Sequence, residues 1–284
     1  MSNPTIFEAL KWASSYLQEK ERDQNAGELL LLHILGWSRS TLLAEQRTEL
    51  TEVQWSLFQN YVEAHVNSQP VQYIIGKETF YGRDFRVTPD VLIPRPETEE
   101  LVEAVISRTS ALKDGTLVDI GTGSGAIAVT LKMERPDLHV FATDLSTKAL
   151  TIAKHNAEAI GVNIDFLEGD LLQPLINKGI KVDVLVSNPP YIPFTDQFWM
   201  SPIVLEHEPH SALFAEEEGL VLYRKMIENA HQVFEKELLL AFEVGVGQAR
   251  RIAEMIYQHY PHTNVEIVED INKKERIVIA KLIK

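Results

Sequence analysis

From residue 116 onward the chain alternates short apolar runs with amphipathic stretches, and this rhythm limits its fold more than anything else in the sequence. Seven runs read as strands: Thr116–Ile120, His139–Thr143, Ile164–Leu167, Val182–Val186, Leu238–Val244, Val265–Val268 and Ile277–Leu282. Between them, Ala126–Glu134, Lys148–Ile160, Leu220–Phe234 and Gln248–His259 carry apolar residues at helical spacing. Strands separated by helices form a doubly wound α/β sheet, covered by helices on both faces. The last two strands are joined by Asp270-Ile271-Asn272-Lys273-Lys274-Glu275, too short for a parallel crossover. They are expected to form an antiparallel hairpin in a mostly parallel seven-stranded sheet.

The first half of the chain has a different period. Residues 5 to 69 read as all-helical, with Ile6, Leu10, Ala13 and Leu17 on one face and Leu57, Tyr61, Ala64 and His65 on another. Thr51 is placed to cap the second of these helices, Gly36 to close the leucine-rich one and Ser40 to open the next. The run Thr79–Val87 around Gly82 reads as a β-hairpin. The expected organisation is a helical substrate-recognition domain over 1–72, a hairpin linker over 73–92 and a catalytic domain over 93–284.

In an open α/β sheet, ligands bind outside the carboxyl ends of the strands, and the polar residues collect there. The first strand runs into Asp119-Ile120-Gly121-Thr122-Gly123-Ser124-Gly125. Its G-x-G-x-G spacing differs from the dinucleotide fingerprint, and no Lys-Ser/Thr follows to cradle a phosphate. Asp144 ends the second strand, where an acid can accept from ribose hydroxyls. Gly169-Asp170 ends the third, where a carboxylate can accept from an adenine amino group. A nucleoside pocket without a phosphate site points to S-adenosylmethionine. The fourth strand stops at Ser187-Asn188-Pro189-Pro190-Tyr191. Two prolines fix φ near −65°, and Pro189 has no N–H, so the chain leaves the sheet in a stiff corner presenting acceptors. Such a corner suits a planar amide or amine.

Composition narrows the partners. The 284 residues carry 27 Lys and Arg against 41 Asp and Glu, a net charge of −14 without a long basic run. That argues against nucleic acid as a direct substrate. No cysteine is present, which excludes thiol catalysis, disulfides and cysteine-ligated zinc. No apolar run reaches the ~18 residues of a membrane span, and no basic-then-apolar leader is evident. A cytoplasmic monomer is expected.

Val118–Gly125 resembles the cofactor motif of class I methyltransferases, and Asn188-Pro189-Pro190-Tyr191 that of enzymes methylating planar nitrogen. Further stretches are similar to the peptide chain release factor glutamine N5-methyltransferase family. They are Ile93-Pro94-Arg95-Pro96-Glu97-Thr98-Glu99, Glu208–Phe214, Phe242-Glu243-Val244-Gly245 with Gln248, and Glu275-Arg276-Ile277-Val278. The resemblance implies methyl transfer from S-adenosylmethionine to the glutamine of a Gly-Gly-Gln motif in release factors. By position, it implies that Gly121, Thr122, Gly123 and Gly125 line the methionine side, Asp144 the ribose, and Asp170 with Leu171 the adenine. It also implies that Asn188 adjoins the cofactor and holds the glutamine amide; Pro189, Pro190 and Tyr191 are expected around that amide, and Phe80 of the hairpin is expected either to wall the site or to belong to the core between the domains. Two departures stand out: Ala215-Glu216-Glu217-Glu218 replaces an expected glycine-rich turn, and Glu206 stands where a basic residue is expected. The alternative is an adenine N6-methyltransferase acting on DNA or RNA, which would use the same corner on an extruded base.

Overall fold

The computed structural model describes residues 3–284, which form two compact units, one running to Lys77 together with Ser201–His207, the other Glu78–Met200 with Glu208–Lys284.

The first unit is helical. It comprises α1 (Ile6–Glu19), α2 (Ala26–Leu35), α3 (Arg39–Ala44), α4 (Glu52–Val66) and α5 (Val71–Ile75). Reciprocal capping boxes start α1 (Thr5 with Glu8) and α4 (Thr51 with Gln54), each satisfying N–H groups that a helix start leaves free. Gly36 closes α2 with φ of 65°. Ser38, rather than Ser40, opens α3, its hydroxyl accepting from the Thr41 N–H. Ile6, Ala9, Ala13 and Leu17 of α1 pack with Leu30, Leu31, Phe58 and Val62. The buried face of α4 is thus Phe58, Val62 and His65, one residue on from the expected Leu57, which is exposed. Leu57 and Phe58 are adjacent and both apolar, and periodicity alone does not separate their faces.

The second unit opens with hairpin strands β1 (Lys77–Phe80) and β2 (Arg83–Arg86), then α6 (Pro96–Arg108). Strands β3 (Thr116–Ile120), β4 (His139–Asp144), β5 (Asp165–Glu168) and β6 (Val184–Ser187) are followed by a two-residue pair, β7 (Ile192–Pro193) and β8 (Phe214–Ala215). Strands β9 (Glu237–Glu243), β10 (Asn264–Glu269) and β11 (Glu275–Ile283) complete a seven-stranded sheet in the order β10-β11-β9-β6-β3-β4-β5. Only β11 runs against its neighbours, pairing antiparallel with both β9 and β10. The expected fold, with its terminal hairpin, is the one observed.

Side-chain alternation builds the two layers. Val118, Ile120, Leu185, Leu240, Phe242 and Val278 face a core shared with Tyr223, Met226 and Ile227 of the helix Val221–Asn229 and Ile252 and Ile256 of the helix Ala249–His259. Leu117, Val184, Val186, Ala241 and Ile279 face the opposite core, with Leu101, Val102 and Val105 of α6 and residues of α7 (Ala126–Glu134). Helix α8 (Thr147–Ile160) covers β4 and β5, and the six-residue α9 (Gln173–Lys178) lies in the β5–β6 connection. Chain order reverses between β3 and β6: β4 and β5 lie on one side of β3, and β6 and β9 on the other. That reversal is the expected place for a ligand crevice. Among the described residues, no helix is long and apolar enough to cross a membrane.

Candidate active site

The carboxyl ends of β3, β4, β5 and β6 open onto one cavity of about 470 Å³, within the range of small-molecule sites. Gly121 and Gly123 from β3, Asp144 from β4, Gly169, Asp170 and Leu171 from β5, and Asn188 and Pro190 from β6 all line it. Residues scattered over seventy positions meet because four parallel strands end on the same edge of the sheet.

The glycine turn divides its work. Gly121 and Gly123 have φ of 71° and 55°, a conformation that disfavours side chains, and a Cβ at either would meet nothing within 4 Å. They leave open space facing the cavity. Gly125 (φ 83°) instead lies against Ala153 of α8, where a Cβ would come within 3.1 Å. Thr122 turns inward, its hydroxyl donating to Asp119 Oδ2 at 2.6 Å. Thr122 and Gly125 therefore shape the turn without lining the cavity. Asp119 is fully buried and also accepts from the Ala128 N–H; burial pushes its carboxyl up to about 7.

Asp144 is held from both sides. Its Oδ2 accepts from the Gly123 N–H at 2.9 Å and its Oδ1 from the Ser146 N–H at 2.8 Å. The cap of α8 is Ser146, whose hydroxyl accepts from the Ala149 N–H, so Asp144 does not cap that helix. Burial raises its pKa, opposed by these backbone donors. Each carboxylate oxygen keeps lone-pair capacity for a further donor on the cavity side. Leu171 sits at φ 46°, and its carbonyl accepts from Thr143, which holds the β5 loop against β4.

At the corner, Ser187 anchors the backbone by donating to the Ile120 carbonyl at 2.7 Å. Asn188 is partly exposed toward the cavity, and its Nδ2 donates to Thr98 Oγ1 at 3.2 Å. The Thr98 hydroxyl donates to Glu243 Oε2 at 2.6 Å. Pro189 is buried, and Tyr191 packs against the sheet core rather than lining the cavity. The Tyr191 carbonyl accepts from Gln248 Nε2 at 2.9 Å; the same amide donates to the Glu218 carbonyl, and its oxygen accepts from the Gly245 N–H. Phe80 lies in the hydrophobic core, edge-to-face with Phe85, away from the cavity lining.

Several residues at the site carry no local sequence signal. Thr98, Glu243 and Gln248 stand in stretches that carry the family resemblance, but nothing local marks them as partners of Asn188 and Tyr191. The pair Arg95–Glu208 is another: the two meet at 2.5 Å across 113 residues, with the Glu208 side chain 1% exposed. The turn after Phe214 supplies the physical reason for the missing glycines. Glu217 and Glu218 adopt left-handed backbone (φ 53° and 56°) ahead of Gly219 (φ 83°), with Arg224 and Arg251 bonded to the two carboxylates.

Comparison with known proteins agrees with this geometry. Residues 8–76 match the family described as PrmC N-terminal domain, and residues 98–199 match the methyltransferase small domain. A release factor glutamine methyltransferase of Bacillus cereus is 49% identical, over 98% of this chain and 99% of its own. One of the same name from Bacillus subtilis is 47% identical over 97% of both chains. The solved structure of the hMettl16 catalytic domain in complex with MAT2A 3′UTR hairpin 6 is 14% identical, covers 81% of each chain and has a TM-score of 0.55. At that identity the likeness concerns the fold alone. By identity across nearly its full length to relatives of that name, the chain belongs to the release factor glutamine methyltransferase family.

Proposed function

We propose that this chain transfers a methyl group from S-adenosylmethionine to the side-chain nitrogen of the glutamine in the Gly-Gly-Gln motif of peptide chain release factors. The observation that carries the reading is that Asn188 borders the same cavity as Gly121, Gly123, Asp144 and Asp170. An acceptor for a planar nitrogen and a phosphate-free nucleoside pocket thus share one wall.

The residues present fit the cofactor. Gly121 and Gly123 leave space for a ligand to approach the backbone, Asp144 lines the cavity with acceptor capacity that suits ribose hydroxyls, and Asp170 and Leu171 line it where the adenine is assigned. When bound, S-adenosylmethionine supplies a methyl group on a sulfonium leaving group. The protein's task is then to orient a weak nucleophile, because an amide lone pair is delocalised into its carbonyl. Asn188 Oδ1 and the Pro189 carbonyl accept the two N–H groups of the glutamine amide. Two acceptors fix the nitrogen and tolerate the positive charge that develops on it. Pro190 and the buried Pro189 keep this corner from relaxing.

A protein substrate suits the surroundings. The cavity lining contains one basic side chain, Lys225, against Asp90, Asp144, Asp170 and Glu216, a poor surface for a phosphate backbone. Phe194 borders the cavity, and Phe198 and Trp199 beyond it are 81% and 90% exposed, apolar surface that a docking protein can cover. The helical unit is assigned to recognition of the release factor and the α/β unit to catalysis, in the cytoplasm where termination occurs. The test is incubation of the chain with methyl-labelled S-adenosylmethionine and full-length release factor, followed by peptide mapping. Label on the Gly-Gly-Gln glutamine is expected; label in DNA or RNA and none in the release factor would overturn the reading.

A further inference from the structure

An asparagine side chain has an oxygen face and an NH2 face of nearly the same shape. A glutamine amide offers N–H donors, so only the oxygen face serves it. Which face Asn188 presents is decided by what lies behind it. Behind it is Thr98 on α6, and behind Thr98 is Glu243 at the end of β9, with Thr98 and Glu243 5% and 3% exposed. The juxtaposition follows from the sheet: Ser187 pairs with Phe242 in the β6–β9 register, so Asn188 and Glu243 leave adjacent strands side by side.

The hydrogen-bond polarity of this chain of groups runs one way. A carboxylate only accepts, so the single Thr98 hydroxyl proton goes to Glu243 Oε2 at 2.6 Å. The Thr98 oxygen then has only lone pairs left, and it accepts from Asn188 Nδ2 at 3.2 Å. With its NH2 end engaged, Asn188 turns its Oδ1 the other way. We propose that Glu243, acting through the Thr98 hydroxyl, is the positioning residue that sets the amide orientation of Asn188 and keeps its oxygen presented to the substrate nitrogen. The inference rests on the reading of Asn188 as the holder of the glutamine amide.

A protonated Glu243 removes the constraint. Its own O–H can donate to Thr98, whose proton is then free to turn toward Asn188 and stabilise the inverted amide. That inverted amide points N–H groups at the N–H groups of the substrate. Glu243 is faced by Arg276 on β11, Glu97 and Thr98 on α6, Asn188 and Tyr191 beyond β6, and Tyr223 on the helix Val221–Asn229, whose hydroxyl donates to the Glu243 backbone carbonyl at 2.7 Å. Burial pushes the Glu243 carboxyl up to about 7; the Thr98 bond, the Arg276 charge and the Asn188 amide hold it down, while Glu97 pushes it up. Methyl transfer therefore weakens as pH falls through that value.

The test compares Glu243→Gln, Thr98→Val and Thr98→Ser by steady-state methyl transfer to full-length release factor and by calorimetric binding of S-adenosylmethionine. A glutamine can turn either an acceptor or a donor to Thr98, so it leaves the orientation undecided. Glu243→Gln and Thr98→Val are expected to lower kcat about 10- to 100-fold, the range seen when partners that orient a functional group are removed. KM and the cofactor Kd stay within about twofold, Thr98→Ser keeps near-wild-type kcat, and Glu243→Gln loses the acid limb of the pH–kcat profile. Wild-type kcat with an unchanged acid limb in Glu243→Gln overturns the proposal, as does a loss confined to cofactor Kd. Failure of the parent reading looks different: the wild-type chain itself leaves the release-factor glutamine unlabelled.

Discussion

Two glycines in left-handed backbone predict opposite outcomes for the same substitution. At Gly219 a new Cβ would stand 2.0 Å from the Tyr191 carbonyl oxygen, 2.5 Å from Gln248 Nε2 and 2.7 Å from the Tyr191 carbonyl carbon. Two of these contacts are to backbone, in the segment that carries the Asn188 corner. Gly219→Ala must therefore displace either that segment or the Gln248 amide that ties Tyr191 to Glu218. Left-handed strain contributes about 1–2 kcal/mol and overpacking about 1–3 kcal/mol. Together they give roughly 2–5 kcal/mol. At Gly123, with φ of 55°, a Cβ meets nothing within 4 Å, so Gly123→Ala costs only the strain, about 1–2 kcal/mol. Its methyl group, however, intrudes on the cavity that the glycine turn leaves open. Denaturant unfolding followed by circular dichroism, with calorimetric titration of S-adenosylmethionine, separates the two. Gly219→Ala is expected to be the less stable protein, with methyl transfer impaired, and Gly123→Ala to be the weaker binder of cofactor. Equal stabilities, or unaltered cofactor affinity in Gly123→Ala, would contradict these assignments.

Asp144→Ala deletes the carboxylate that accepts from Gly123 and Ser146; it should weaken cofactor binding at least about tenfold, since a charged hydrogen-bond partner contributes ~1.5–3 kcal/mol. Unchanged affinity by calorimetry would remove Asp144 from the ribose assignment. Asp119 and Glu243 both titrate near 7 in the fold, raised by burial from the ordinary carboxylate range. Folded-state pKa values above the unfolded ones mean that the folded chain holds extra protons between about pH 4 and 7. The stability from these two groups is complete below the unfolded values and is lost as pH rises through about 7. Asp119→Asn is expected to flatten that decline in a series of denaturant curves, and an unchanged slope would contradict it. Stability and activity pull in opposite directions at Glu243, because the ionised form that orients Asn188 is the form the interior disfavours.

The sheet was legible because each of its strands is a short apolar run bounded by turn residues, and because helical spacing fills the gaps. The strand-end residues Gly121, Gly123, Asp144, Asp170 and Asn188 were legible for the same reason: a polar or glycine residue at the end of a buried strand has few other uses. What remained hidden depends on distance in sequence. Thr98 looks like an ordinary first-turn residue of a helix, and Glu243 like the end of an apolar strand; their bond spans 145 residues. Arg95 reads as a surface residue beside Glu97 until the fold brings Glu208 to it. Phe80 could be read either as a site wall or as core, and it joins the buried core, edge-to-face with Phe85. Thr122 shares a motif with two cavity-lining glycines, but only its bond to Asp119 reveals that it faces inward. Glu217 and Glu218 looked like a lost turn, and their backbone shows the turn kept without glycine, with arginines on both carboxylates.

The central assignment is that of Asn188 to the substrate amide, beside the cofactor but contributing little to its affinity or to the fold. Asn188→Ala measured by single-turnover methyl transfer to full-length release factor, beside calorimetric binding of S-adenosylmethionine, addresses it directly. Loss of one preorganised polar group at a reacting centre is worth about 10²- to 10³-fold in rate, and that loss is expected here with near-wild-type cofactor affinity. An equal fall in transfer rate and cofactor affinity, or undiminished transfer, would contradict the claim.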